Sequence, residues 1–457
     1  MKNKTITLLV VLSLLVLPAV ALAAKAEPAG AGDISFTLGG YIKLHMFWDS
    51  ALMGKNWNQA PPLNNNPDSQ HGRFNATSQS SRFNFTIKGP DLWGAKTTGY
   101  IEVDFDRVED RQTASNAWQP RMRHAFFRMN WPGTELLLGQ YWSYFCEFYP
   151  DMIQDGPYQG HGVATHRLAQ ARLTQTFGLG WAKDDVLTLS AMVGAPTDTG
   201  DTTYAAATPP ATNADRPGQA SETPQLGAKI QYEGNLWGMG PFYGAPKPFT
   251  AQVSAGWQRT RYRAQFGIAG PDAVNQQYLN NWMVQGTLFL PIIPTNTKDL
   301  SGTMAVTVQA YVGQGLDAFG NQTGFNSYLD WTESIDGDYR QRKLVKNWGG
   351  YVLANYHFTN QWYMNAGAGL GNNFGVNLWT AQQDATFGNQ VHQWWEANIN
   401  LFYRPITAIK FGLGYAYTRA DYYRIQAQGG STHTLATPNR TNIGEAHRVQ
   451  FAGWFFF

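Results

Sequence analysis

The sequence predicts an all-β protein: a transmembrane antiparallel β-barrel of about sixteen strands, with short turns at one end and long loops at the other. Three observations carry that expectation. Apolar and polar residues alternate with period two in segment after segment, the period that turns one strand face to oil and the other to water. Short and long links alternate between those segments. The tryptophans sort into two tiers, with Trp93, Trp131, Trp181, Trp237 and Trp362 beside short turns and Trp48, Trp142, Trp257, Trp282, Trp348 and Trp395 near the long loops. Indole favours the headgroup level of a bilayer, so two tiers suit a spanning barrel.

Taken in order, the chain opens with Lys2 and Lys4, an apolar run from Leu8 to Ala23 interrupted by Pro18, and small residues at Ala21-Leu22-Ala23. This reads as a secretory signal peptide over 1–23, followed by a short periplasmic segment at 24–32 and a barrel from 33 to 457. The cleavage region has no cysteine for a lipid anchor. No later apolar run reaches the roughly 20 residues that a spanning helix needs, so membrane residence requires a closed barrel. Lys and Arg number 34 against 32 Asp and Glu, and loss of Lys2 and Lys4 leaves the two classes equal. That balance gives no footprint for nucleic acid. Aromatic residues reach 14% although mean hydropathy is only −0.36, as alternating strands with interfacial girdles require. Cys146 is the single cysteine and makes no internal disulfide.

In the first strand Ile34, Phe36, Leu38, Gly40, Ile42, Leu44, Met46 and Trp48 share one face, and Ser35, Thr37, Tyr41, Lys43 and His45 the other. Phe83, Phe85 and Ile87 then oppose Arg82, Asn84, Thr86 and Lys88; Ile101, Val103 and Phe105 oppose Tyr100, Glu102, Asp104 and Asp106. The reading continues over 120–131, 135–143, 168–177, 185–195, 224–234, 248–262, 276–290, 301–314, 346–358, 361–372, 391–404, 407–421 and 443–457. In the last, Val449, Phe451, Gly453 and Phe455 face one way and Arg448, Gln450 and Ala452 the other. Two segments are less regular: 135–143 is apolar on both faces, and Arg121 and Arg123 interrupt the lipid face of the fourth strand. Those arginines fit lipopolysaccharide phosphate, a subunit interface or a bulge equally well. Gly89-Pro90-Asp91, Trp131-Pro132-Gly133 and Thr359-Asn360-Gln361 are tight turns, whereas 50–78, 107–119, 144–167, 196–223, 315–345, 373–390 and 422–442 are long loops. The segment 235–247 is long for the short-turn side. The asymmetry is that of an outer-membrane barrel with short periplasmic turns and both termini periplasmic.

Several segments together resemble DcaP-type porins. They are Phe36-Thr-Leu-Gly-Gly-Tyr-Ile-Lys43, Ser80-Ser-Arg-Phe-Asn-Phe-Thr-Ile-Lys-Gly89, Gly99-Tyr-Ile-Glu-Val-Asp-Phe105, Pro120-Arg-Met-Arg-His-Ala-Phe126 and Leu138-Gly-Gln-Tyr-Trp-Ser143. The likeness is sharp over about residues 33–180 and gives way to general barrel character afterwards. It implies a homotrimeric sixteen-stranded outer-membrane porin, set in lipid and lipopolysaccharide, that passes small organic solutes, often anionic ones such as dicarboxylates. One departure concerns the coiled-coil extension that some relatives carry before the barrel: Ala24–Gly32 is too short for heptads.

If one face meets lipid, the other lines a wet lumen whose charges set selectivity. Lys43, Arg82, Lys88, Arg128, Arg172, Lys410 and Arg448 fall on polar faces. Closure makes 443–457 a neighbour of 33–49, so Arg448, Lys43 and Arg82 occupy adjacent strands. The pore-lining basic wall is therefore expected to comprise Lys43, Arg82, Arg128, Arg172 and Arg448. The loop at 144–167 is the third outer loop, expected to fold into the lumen and present Glu147, Asp151 and Asp155 as constriction acids. Opposed walls of charge across a narrow slot would set up a transverse field. Inward charges paired to Glu102, Asp104, Asp106 or Glu396 would instead be ordinary solvated lumen residues. Tyr363, Asn365, Gly367 and Gly369 suggest an open, hydrated interior.

Other chemistry has little support. His161, His166 and Asp155 match no standard metal spacing, Asp336-Gly337-Asp338 is a calcium-loop fragment without its other ligands, and no cofactor motif is present. The scattered histidines form no triad motif, which argues against an enzyme. A passive diffusion channel is the leading function, and a non-conducting barrel that holds a structural or surface partner is the alternative.

Overall fold

A computed structural model describes residues 34–53, 60–106, 119–158, 161–164, 166–197, 218–263, 276–320, 327–335, 339–376, 390–423 and 443–457. The expected leader (1–23), the segment 24–32 and the Asp336-Gly337-Asp338 fragment lie outside the described residues. The barrel runs through β1 (Ser35–Asp49), β2 (Arg73–Thr77 and Arg82–Lys88), β3 (Lys96–Asp104), β4 (Arg121–Trp131), β5 (Thr134–Trp142), β6 (Arg167–Gly178), β7 (Lys183–Gly194) and β8 (Gln225–Phe242). It continues through β9 (Ala245–Arg263), β10 (Gln276–Ile293), β11 (Met304–Gln314), β12 (Lys346–His357), β13 (Trp362–Phe374), β14 (Val391–Ile406), β15 (Ile409–Tyr422) and β16 (Ile443–Phe456).

The seventeen paired segments make sixteen staves, because Arg73–Thr77 and Arg82–Lys88 both lie against β1. Every neighbouring pair is antiparallel, and β16 closes on β1 in register from Tyr41↔Phe456 to Asp49↔Arg448. Closure leaves no sheet edge, which is the condition for spanning lipid with strands. The alternation read from the sequence is the one observed: Phe36, Leu38, Ile42, Leu44 and Trp48 point outward and exposed, while Lys43, His45 and Asp49 are buried inside. Val449, Phe451 and Phe455 continue the outer face on β16. Between the halves of β2 the chain leaves the ladder, and the Ser81 hydroxyl accepts the Lys43 amide at 3.1 Å. Gly40 lets the two backbones close there, since a Cβ on it would sit 2.1 Å from the Arg82 carbonyl oxygen.

Four details differ from the sequence reading. Arg121 and Arg123 do not break the lipid face: β4 is bulged against β3, with Glu102↔His124 followed by Val103↔Met122. The extra residue, Arg123, turns inward beside His124, and Met122 keeps the lipid face. Trp142 also turns inward, with the Arg167 guanidinium 4.6 Å from its ring centre. The loop 315–345 contains a 3₁₀ turn (Leu316–Phe319) and a separate hairpin, Ser327–Ile335 with Tyr339–Leu344. The segment 235–247 is mostly strand, because β8 continues to Phe242 and β9 begins at Ala245.

Candidate functional site

The third outer loop, between β5 and β6, folds into the lumen, and glycines on the wall receive its large side chains. Ile153 sits over Gly412 and Gly414, and Tyr158 over Gly367 and Gly369, where any Cβ would come within 3.0 Å of those side chains. Phe145 and Phe319 together cover Gly256. The face of β13 that suggested open water is therefore a seat: Tyr363, Asn365, Gly367 and Gly369 pack under the loop. A loop away from any sheet leaves its carbonyls without ladder partners, and lumen amides supply them. Gln252 donates to the Tyr144 carbonyl and Gln285 to that of Phe145, both at 3.2 Å; Asn365 donates to that of Asp151. The Tyr351 hydroxyl donates to the Phe148 carbonyl.

The loop acids meet the basic residues directly. Lys43 Nζ donates to the Ile153 carbonyl at 2.7 Å and lies 3.2 Å from Asp155, which also accepts from the Ser80 hydroxyl. Lys410 is 3.3 Å from Asp151; Glu147 is 3.4 Å from Arg172 and 2.7 Å from Lys229. These charges are in contact and do not oppose one another across a gap. Burial by itself would raise the Asp155 carboxyl, but the Lys43 ammonium and the Ser80 hydroxyl outweigh it and hold the group well below the ordinary carboxylate range. Burial pushes the Cys146 thiol, in the same loop, up to about 12. Arg448 is bidentate to Asp49 at 2.6 and 2.8 Å, with its side chain 1% exposed, and pins the β16–β1 seam.

Open space lies on two sides of the loop, against the wall of β2 to β5 and against that of β12 to β16 with β1. One cavity of about 440 Å³ is lined by Arg82, Tyr100, Glu102, Arg123, His124, Phe126, Arg128, Tyr141, Trp142 and Tyr149, among others. A second, of about 350 Å³, is lined by Tyr41, Lys43, Arg82, Tyr149, Asp151, Asp155, Arg404 and Lys410, among others. Of the predicted basic wall, Lys43, Arg82 and Arg128 reach these cavities, whereas Arg172 and Arg448 are held in ion pairs outside them. Asp151 and Asp155 line the second cavity, and Glu147 lies outside both.

On the wall, Arg123 donates to Glu102 at 2.5 Å and Asp104 at 2.7 Å, and Arg121 grips Asp104 at 2.8 and 2.7 Å. Arg82 and Arg128 are looser, at 3.9 Å from Glu102 and 3.6 Å from Glu135, with side chains 26% and 29% exposed. The Arg128 guanidinium lies over the rings of Phe126 and Tyr141, and Arg82 over Tyr41. Arg123 was missed as a lumen residue because strict alternation puts it outside, and only the bulge turns it in. Tyr149 and Arg404 carry no local signal, since one lies in a loop and the other beside a turn.

No family model matches the sequence, and no curated protein does either. Among solved structures, the outer membrane channel DcaP of Acinetobacter baumannii aligns over 95% of this chain and 100% of its own, with a TM-score of 0.65 and 18% identity. An anion-selective porin from Comamonas acidovorans aligns over 93% of this chain and 100% of its own, with a TM-score of 0.52 and 10% identity. The likeness is one of fold, the sixteen-stranded barrel of outer-membrane porins.

Proposed function

We propose that this barrel is an outer-membrane porin, a water-filled channel for passive diffusion of small hydrophilic solutes, with a preference for organic anions such as dicarboxylates. On this reading it works as a homotrimer in lipid and lipopolysaccharide, with both termini in the periplasm. One observation carries the preference. Apart from histidines, the charged residues lining these two cavities are Lys43, Arg82, Arg123, Arg128, Arg404 and Lys410 against Glu102, Asp151 and Asp155. A twofold excess of cations on low-dielectric walls raises the local concentration of anions.

Arg82 and Arg128 are the groups suited to a passing carboxylate. Both line the larger cavity, are part exposed, and stand beyond close hydrogen-bond distance from their own acids. A guanidinium exchanges one carboxylate for another at little cost where its resident partner is loose. The test is planar-bilayer recording of the purified protein under a salt gradient, for wild type and the Arg82→Gln/Arg128→Gln double variant. Wild type is expected to give open steps with an anion-sided reversal potential, moved toward zero in the variant. A cation-sided wild type or an unmoved potential overturns the anion preference, and a folded barrel that never conducts overturns the channel.

A further inference from the structure

The hairpin between β8 and β9 lies at the short-turn end, yet its tip belongs to the interior. The register first pairs Trp257↔Leu226 through Phe249↔Gly234, then jumps to Pro248↔Met239, so four residues of β8 leave the ladder. There Gly238 takes φ +120°, and the Trp237 indole donates to the Pro291 carbonyl at 2.7 Å. Beyond the bend Met239 pairs sideways with Thr295 through two backbone bonds of 2.7 and 2.8 Å. This carries the tip across the inner wall. Gly240 lies against Ala305, and Phe242 packs edge-on to Phe289 at 5.5 Å; both wall residues are buried on lumen faces.

At the tip the hairpin meets the third loop. Phe242 is 5.7 Å, ring to ring, from Phe148, and the Tyr243 hydroxyl donates to the Tyr149 carbonyl at 2.6 Å. Tyr243 holds a left-handed backbone (φ 51°), a conformation an ordinary side chain adopts only where its surroundings fix it. Of the residues lining the two cavities described above, three line both: Arg82 from the wall, Tyr149 from the loop and Tyr243 from the hairpin tip.

We infer that the β8–β9 hairpin tip is a second constriction element, and that Arg82, Tyr149 and Tyr243 together form the waist between two chambers of the channel. Tyr243 sets its width from the short-turn side. The waist carries one guanidinium beside two aromatic rings, so a small anion passes by contact with Arg82 while bulk is refused by Tyr243. This inference rests on the channel reading above and adds to it an element outside the third loop.

The experiment compares wild type, Tyr243→Ala and Tyr243→Cys in planar bilayers, after heat-modifiability on gels shows that each barrel is folded. Tyr243→Ala is expected to raise single-channel conductance by roughly 1.5-fold or more, because a side chain that lines both cavities loses its ring. In Tyr243→Cys, a charged thiol reagent is expected to lower the current in discrete steps, with Cys146→Ser as background. Tyr243→Phe keeps the ring and is expected to conduct as wild type, which separates width from the hydrogen bond to Tyr149. A conducting wild type with an unchanged Tyr243→Ala and a labelled but unaffected Tyr243→Cys overturns the inference and leaves the channel standing. No current from wild type or any variant overturns the channel reading, and this inference with it. A silent wild type beside a conducting Tyr243→Ala supports both.

Discussion

Asp155→Asn removes the charge that fastens the loop to β1 while leaving its shape almost unaltered. Lys43 is 2% exposed and lies 3.2 Å from Asp155, itself 19% exposed. With an effective dielectric constant near 20, that separation corresponds to about 5 kcal/mol of gross attraction. The side-chain amide oxygen that replaces the carboxylate still accepts a hydrogen bond from Lys43, worth about 1 kcal/mol, and Lys43 keeps the Ile153 carbonyl at 2.7 Å. The ammonium nevertheless stays buried without its counter-charge, so the net loss is about 2–4 kcal/mol. At about 1.4 kcal/mol per decade, the ratio of docked to released loop falls roughly 30- to 1000-fold.

Single-channel noise and hydrogen exchange of the loop peptides both read that ratio. Asp155→Asn is expected to flicker and to lose protection over 147–158, while the barrel strands stay protected. Equal noise and equal protection would show that Lys43–Asp155 does not hold the loop. The pH dependence has a definite sign. A carboxyl held low in the folded state contributes its full stabilisation above the ordinary carboxylate value and loses it as pH falls through the folded value. Wild type is therefore steady from about pH 5 to 8 and starts to flicker only below roughly pH 4, whereas the amide variant lacks that acid transition.

Two further outcomes follow from the same buried surfaces. Arg448→Met leaves Asp49, 5% exposed, without the guanidinium that grips it at the β16–β1 seam, and is expected to lower barrel stability by about 3–5 kcal/mol. A heat-modifiability midpoint equal to wild type would refute that. The Cys146 thiol, buried and pushed up to about 12, is expected to resist maleimide at pH 8 in the folded barrel and to react fully after denaturation, so labelling of folded protein would place this loop outside the lumen.

The barrel was legible because its period is imposed by lipid. A residue such as Phe85 or Leu413 has one place to go, and sixteen repetitions of that constraint average out local exceptions. The exceptions were legible only as interruptions, without their cause. Arg123 stands one residue out of phase with its strand; the alternation records the interruption, but a bulge, a lipid-headgroup site and a subunit interface all interrupt it alike, and only the register separates them. The inward tip at Tyr243 is hidden likewise: Gly238-Met239-Gly240-Pro241 reads as a long turn, and only its sideways pairing to Thr295 shows where it goes.

Charges on lumen faces posed a different difficulty. Alternation says which side of the wall a lysine occupies, but not what lies on that side. The third loop fills much of the interior and brings three acids within salt-bridge distance of Lys43, Arg172, Lys229 and Lys410. Those cations fasten the loop to the wall. On the channel reading proposed above, selectivity falls to groups that the loop acids do not engage, among them Arg82 and Arg128 on β2 and β4, whose own acids stand 3.9 and 3.6 Å away. The basic residues of one lumen thus differ in their engagement: Lys43, Arg172, Lys229 and Lys410 are taken up by the loop acids, whereas Arg82 and Arg128 are held more loosely by acids of the wall.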